Sequence, residues 1–270
     1  MNANAPGVDD LGGAVALPEG VERIVSLVPN LSELLWSWGL ADRLVGVTEW
    51  CVAPPDGFPA ARRVRGTKNP DLQAIIGLAP DLVLANEEEN RRRDVEALRA
   101  AGIAVHVTRV RTLSGLSESL HRLGATLGVR AAADRLVADI DAALAACVLP
   151  SRPQRVACAV WRDDPERGGN EEGWWLVGRD TYAADLLSAV GAEPQPDDPH
   201  GRYPRCAFGA LRDLEPDLLL LPDEPYAFGP ADRAEVEGAG MHAVLVDGMD
   251  LWWWGPRTPT AIGRLARLVS

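Results

Sequence analysis

The chain has 270 residues, 47% of them apolar and 24% charged, which is enough for one large core or two lobes and reads as soluble and globular rather than disordered. Its 39 acidic residues against 27 basic ones give a net charge of −12, a field that repels a nucleic-acid backbone and an anionic membrane surface alike. Four cysteines, at positions 51, 147, 158 and 206, form no C-x-x-C pair or zinc-knuckle spacing.

The segment from Met1 to Asp10 is polar and acidic, without a basic n-region, an apolar h-region or a lipobox cysteine. As written the chain is therefore expected to be cytoplasmic; a leader removed upstream would instead make it periplasmic, or extracellular and membrane-anchored. No apolar run approaches the roughly 18 to 20 residues of a membrane span. Strand Ile24 to Val28, broken by Pro29-Asn30, leads into the amphipathic helix Leu31 to Gly39. Strand Leu44 to Val47, helix Pro70 to Leu78, strand Asp81 to Ala85, helix Arg92 to Ala101 and strand Ile103 to Val107 follow. This alternation predicts an α/β fold with a parallel sheet. The basic run Arg91-Arg92-Arg93 directly follows Glu87-Glu88-Glu89, so the charge cancels at a helix start and the run is no nucleic-acid patch.

From Leu116 to Cys147 the apolar residues recur at helical spacing with no strand signal, predicting one long helix or two nearly collinear ones interrupted near Gly128. Leu149-Pro150-Ser151-Arg152-Pro153 ends it. The early order then returns: strand Arg155 to Trp161, helix Thr181 to Val190, helix Phe208 to Leu214 and strand Leu218 to Leu221. Two fragments repeat: residues 34–39 match 186–191, and Leu78-Ala79-Pro80-Asp81-Leu82 matches Leu214-Glu215-Pro216-Asp217-Leu218. The expected organisation is an N-terminal lobe over 1–115, a connecting helix over 116–148 and a C-terminal lobe over 149–270.

Ligands of open α/β sheets bind outside the carboxyl ends of the strands. Those ends carry Pro29, Asn30, Trp50, Asn86 and Glu88 in the first half, and Trp161, Tyr226 and the run Trp252, Trp253, Trp254 in the second. Lys68, Asn69, Trp174, Trp175, Arg179 and Tyr182 complete the candidate ligand-binding set. The aromatic members are read as lying in loops, where rigid flat side chains suit a bulky apolar or macrocyclic ligand; packing of the lobes' own cores is the competing explanation for each. Glu87 to Glu89 and Asp223-Glu224 could hold a cation or act as an acid/base pair. No nucleophile elbow or orienting third group accompanies them. His106, His121, His200 and His242 are scattered, and only His200, in the loop Pro194 to Pro204, is placed to reach a ligand or its metal. Gly12-Gly13 and Gly168-Gly169 lack the lysine and hydroxyl of a phosphate loop.

Asp9-Asp10-Leu11-Gly12 and Arg23 to Glu33 resemble the opening of the helical-backbone (class III) periplasmic substrate-binding proteins, the cobalamin and ferric-siderophore binders of ABC importers. The resemblance continues through Asn69-Pro70-Asp71-Leu72, residues 79–85, residues 177–182, Pro222-Asp223-Glu224-Pro225-Tyr226 and Val246-Asp247-Gly248. It implies two Rossmann-like lobes joined by one long backbone helix, with a ligand held noncatalytically in a cleft between them. In it Trp50, Trp161, Trp174 and Trp252 to Trp254 match stacking aromatics, while Arg179, Asn86 or Glu88 set polar orientation. The implied ligand is a corrinoid, haem-like compound or ferric siderophore, with no catalytic cofactor and no protein-held metal. Family members coupled to a permease usually carry one exposed glutamate per lobe seven residues before the Pro-Asp turn. Here those positions are Gln73 and Gly209, which puts an ABC permease partner in doubt. The alternatives are an enzyme on the same scaffold acting through Glu87–Glu89 and Asp223/Glu224, and a protein-interaction module docking through Trp252 to Trp254.

Overall fold

The computed structural model describes residues 7–18, 20–163, 173–197 and 201–270, so His200 and Gly168-Gly169 lie outside the described residues. The chain divides into two compact units, Met1–Val110 with Ser114–Ala138, and Arg111–Leu113 with Asp139–Ser270.

The first unit opens with a two-stranded antiparallel hairpin, β1 (Gly7–Val8) and β2 (Ala14–Val15), which the sequence did not announce. Then come β3 (Ile24–Ser26), α1 (Pro29–Ser37), a 3-10 turn (Ala41–Arg43), β4 (Leu44–Val47), β5 (Arg62–Arg63), α2 (Leu72–Gly77), β6 (Leu82–Asn86), α3 (Arg92–Ala100) and β7 (Val105–Thr108). The sheet order is β5-β4-β3-β6-β7 and every pairing is parallel, as the strand-helix alternation predicts. Its core is Val25, Leu27, Val83, Ala85, Val105 and Val107 against Ala74, Ile75, Val95 and Leu98 of the helices. Each such fully buried Leu, Ile or Val contributes about 1.5 to 3 kcal/mol. Pro29 opens α1 because its missing N–H is not needed in the first turn, and Asp71 caps α2 by accepting from the Ala74 amide at 3.0 Å.

The helical stretch is two helices, α4 (Leu113–Thr126) and α5 (Arg130–Ala145), separated at Gly128 as its residue type suggests. They are not collinear. Gly128 sits at φ 74°, the Val129 amide donates back to the Gly124 carbonyl at 2.8 Å and the Gly128 amide to Ala125 at 3.4 Å, the hydrogen-bond pattern of a helix terminated by a left-handed residue. The chain then turns sharply enough to bring His121 Nε2 within 3.3 Å of Asp134 Oδ1. In a continuous helix thirteen residues rise about 20 Å. Gly124 permits the turn, since a Cβ there would stand 2.6 Å from that of Ala133. The boundary between the two units falls inside α5, after Ala138.

The second unit holds β8 (Gln154–Asp163), β9 (Gly173–Leu176), α6 (Tyr182–Ala189), β10 (Ala192–Gln195), β11 (Arg205–Cys206), α7 (Phe208–Asp213), β12 (Leu218–Pro222), α8 (Pro230–Gly238), β13 (Ala243–Val246), α9 (Met249–Trp252) and α10 (Thr258–Leu268). β10, β8, β12 and β13 pair in parallel, in the order that β4, β3, β6 and β7 take in the first unit. This sheet is mixed rather than purely parallel: β8 runs on past its parallel partners and β9 returns antiparallel to it, with β11 antiparallel to β9. Trp161, Trp174 and Trp175, expected in loops, are therefore strand residues of this arm, and Trp252 ends the short helix α9.

The repeated sequence fragments are structurally equivalent. In the first unit Arg23 donates its backbone N–H to Asp81 Oδ2 (2.8 Å), accepts from the Asp81 amide (2.8 Å) and donates its guanidinium to the Leu78 carbonyl (2.7 Å). In the second, Arg155 makes the same bonds to Asp217 (2.8 and 2.8 Å) and the Leu214 carbonyl (2.6 Å). Ala79 and Glu215, at φ 45° and 46°, occupy the same left-handed position just before the proline. Each lock ties the end of one helix and the start of the next strand to the first strand of its unit.

Candidate functional site

At the carboxyl ends of the first unit's strands, Trp50 is 62% exposed after β4. Its loop is pinned from beneath: Arg63 Nη1 donates to the Thr48 carbonyl (2.8 Å) and the Cys51 carbonyl (2.9 Å), and the Cys51 sulfur lies 3.0 Å from Ser32 Oγ and 3.2 Å from Thr48 Oγ1. Burial pushes the Cys51 thiol pKa up, so it is a neutral packing group. Gly66 leaves room for the Trp50 indole and the Asn69 amide to come close. The indole is thus displayed on a rigid base.

The polar residues proposed for this rim are engaged in building it. Asn30 is buried at the start of α1. Asn86, also buried, accepts from the Glu88 amide (2.9 Å) and the Glu89 amide (3.3 Å) and donates to Thr108 Oγ1 (3.2 Å). Asn90, which the sequence reading passed over, accepts from the Asn86 amide (2.8 Å) and donates to the Thr67 carbonyl (3.0 Å); asparagine at both ends of the Glu87–Glu89 run was the available signal. Lys68 donates to the Glu88 carbonyl, joining the two loops. Asn86 and Lys68 therefore shape the rim more than they display free groups.

In the second unit the β8–β9 arm carries the aromatics. Trp161 is 45% exposed and meets Tyr226 edge-on at 5.5 Å. Trp174, on the neighbouring strand, is fully buried and stacks on Phe228 at 5.4 Å, with Phe208 at 5.7 Å. The expectation that Trp174 faces a ligand is not met, because strand alternation turns it into the lobe core. Arg162 closes this stack: its guanidinium lies 5.1 Å from the Trp174 ring centroid and pairs bidentately with Glu235 (2.6 and 3.0 Å) and with Asp232 (3.2 Å). Trp175 donates to Asp163 Oδ2 at 3.0 Å, and that bond, followed by the Arg205 bond, holds the Asp163 carboxyl below its ordinary range.

The tryptophan run divides. Trp252 donates to the Glu224 carbonyl at 2.8 Å, while Trp253 and Trp254 are buried, with Arg257 5.3 Å above the Trp253 ring. Tyr182 is buried with its hydroxyl 3.0 Å from Thr258 Oγ1, and burial raises its phenol pKa far above 10. Glu224 is raised to about 7, chiefly by burial, with Asp223 and Asp247 pushing in the same direction against a hydrogen bond from Trp253. Asp223 Oδ1 is occupied by the Gly248 amide at 2.8 Å. Beside α6 lies an open cavity of about 650 Å³ lined by Arg111, Thr181, Asp185 and Glu193 among others. Arg179, which pairs with Asp197, also lines it.

Among the described residues, no group of three His, Cys, Asp or Glu side chains could hold a metal. Of the described histidines, His106 is buried on β7, His121 lies on α4 and His242 precedes β13, so none is exposed at a strand's carboxyl end.

Residues 24–235 match the family model described as periplasmic binding protein. The chain belongs to that family. A substrate-binding lipoprotein of an ABC transporter from Bacillus subtilis is 26% identical over 97% of this chain and 84% of its own length. A vitamin B12-binding protein from Vibrio cholerae is 31% identical, over only 40% of this chain and 39% of its own length. Among solved structures, a periplasmic haem-binding protein from Roseiflexus superposes with a TM-score of 0.73 at 22% identity, covering 92% of this chain and 97% of that one. The periplasmic vitamin B12-binding protein of Vibrio cholerae gives 0.72 at 21%, covering 93% and 97%. At these identities the superpositions speak for the fold.

Within the periplasmic binding protein family, Gln73 and Gly209 are the second residues of α2 and α7, exposed and equivalent in the two units. No helix among the described residues is long and apolar enough to cross a membrane. The relatives are named as a lipoprotein or as periplasmic proteins, so the expectation of a cytoplasmic protein finds no support in them.

Proposed function

We propose that this chain is the substrate-binding component for a bulky metal-containing small molecule of the corrinoid, haem or ferric-siderophore class, held by exposed strand-end aromatics and released unchanged. The reading rests on one observation above all: Trp50 and Trp161 stand exposed at the carboxyl ends of their sheets on rigid supports. A large exposed indole loses water contact cheaply and stacks on a flat or macrocyclic ligand. Family membership and the named ligands of the relatives support the same class.

Delivery to an ABC permease outside the cytoplasm fits the lipoprotein and periplasmic relatives. With neutral Gln73 and Gly209 at the usual acidic positions, that docking relies on other surface acids such as Asp71 or Asp213.

One observation favours a catalytic alternative: Glu224, raised to about 7, has the protonation behaviour of a general acid. The experiment is a tryptophan fluorescence titration with cyanocobalamin, cobinamide, haemin and a panel of ferric siderophores, corrected for ligand absorbance, with the bound ligand recovered and analysed afterwards. Saturable one-to-one quenching with intact ligand supports the receptor; chemical change in the ligand that Glu224→Gln abolishes supports the enzyme.

A further inference from the structure

The sheet of the first unit ends at β7, and the N-terminal hairpin sits on that edge. The Asp10 amide donates to the Val107 carbonyl (3.1 Å), and the Arg109 amide donates to Asp10 Oδ2 (2.9 Å), so the hairpin turn covers polar groups that an edge strand would leave open. Two ion pairs hold it there. Asp9 Oδ2 accepts from Arg99 of α3 at 2.7 Å, and Asp10 Oδ1 accepts from Arg122 of α4 at 2.5 Å. Both carboxylates are almost wholly buried, whereas both guanidinium groups are partly exposed.

Within this arrangement lies His106, on β7, with no exposed surface and neither ring nitrogen hydrogen-bonded. The charged groups acting on it are Asp9 and Asp10 of the hairpin, Arg99 of α3 and Arg122 of α4. Around the ring two carboxylates and two guanidinium groups balance, and the further carboxylate, Glu118, 3.7 Å from Arg122, is largely exposed, so a neutral imidazole leaves the buried cluster uncharged. A proton on His106 adds an uncompensated buried charge. That charge repels Arg99 and Arg122 and competes with them for the two carboxylates that fasten the hairpin.

We propose that the β1–β2 hairpin is a clasp over the edge of β7 that opens when His106 takes up a proton. Burial, the largest influence, moves the imidazole below its ordinary value of 6.5, with Asp10 and Asp9 opposing and Arg122 and Arg99 assisting. The clasp is therefore closed at neutral pH and opens in acid, leaving the β7 edge uncovered.

The test follows, in the full chain by NMR, the titration of the His106 imidazole and the exchange protection of the Asp10 amide from about pH 7.5 to pH 4.5. Protection factors remove the intrinsic pH dependence of exchange. The wild type is expected to lose about tenfold or more of its Asp10 protection as the imidazole protonates, one pH unit of coupling being a factor of ten. His106→Leu is expected to keep that protection to a lower pH; His106→Gln serves if the leucine variant does not fold. Imidazole protonation without loss of protection overturns the proposal. So does an opening midpoint that is the same in wild type and variant, since the hairpin then opens independently of the imidazole.

Discussion

The two units share a framework and differ at their rims. The Arg23–Asp81 and Arg23–Leu78 bonds of the first recur as Arg155–Asp217 and Arg155–Leu214 in the second, and the residue before each proline takes the same left-handed backbone. At the strand ends the likeness stops. The first unit builds its rim from short polar loops around Cys51 and Asn86 and displays Trp50, with Val52 beside it in the sequence. The second extends β8 into an antiparallel arm whose Trp174 packs into the lobe core against Phe208 and Phe228, while Trp161 stands outside it against Tyr226. Strand pairing and chain reversal fix the framework, whereas the rims differ; exposure, not residue type, separates Trp50 and Trp161 from the buried tryptophans.

The largest effect expected from this contrast is at Trp174. Trp174→Ala removes a fully buried indole and leaves Arg162 without its aromatic floor, so urea denaturation should show a loss of about 3 to 5 kcal/mol. The duplicated lock gives a smaller and graded pair. Asp81 accepts from two backbone amides, of Glu22 and Arg23, but Asp217 accepts from the Arg155 amide alone. Asp81→Ala should therefore cost about 2 kcal/mol and Asp217→Ala about 1 kcal/mol in the same assay. Equal losses would mean that the second bond to Asp81 contributes nothing.

Glu224 provides a pH-dependent difference. Its pKa is about 7 in the folded chain against an ordinary 4.5, so between those values the native state holds a proton that the unfolded chain releases. The stability this group contributes is complete below about pH 4.5 and lost as pH rises through about 7. Glu224→Gln escapes that loss: thermal unfolding should find it matching the wild type near pH 4.5 and more stable by about 1 kcal/mol near pH 8, a figure reduced for solvent screening of a partly exposed group.

Much of the framework was legible in the sequence because its signals are local. Pro29 marked the end of the first strand, though α1 begins at Pro29 itself rather than at Leu31, Gly128 marked the break between α4 and α5, and the paired Pro-Asp turns the duplication. The direction taken after Gly128 was not legible, since it depends on Gly124 meeting Ala133 across the corner. The arm escaped notice because β8 and β9 find each other across intervening residues rather than through a tight turn, and its tryptophans alternate inward and outward only once paired. For the site, Trp50 and Trp161 were read as strand-end residues from strand order alone, and both are exposed. The burial of Trp174, Trp253, Trp254 and Tyr182 is a property of tertiary packing that an aromatic count does not reveal.

The smallest stability effect belongs to Trp50, and it carries the central claim. Trp50→Ala should change unfolding free energy by less than about 0.5 kcal/mol, because the indole is 62% exposed. The direct measurement is calorimetric titration of wild type and Trp50→Ala with whichever of cyanocobalamin, haemin or the ferric siderophores binds. Affinity falling by about tenfold or more, about 1.4 kcal/mol, with unfolding unchanged is the predicted result. Equal affinity in the two proteins would contradict the account, because the exposed indole would then have no part in holding the ligand.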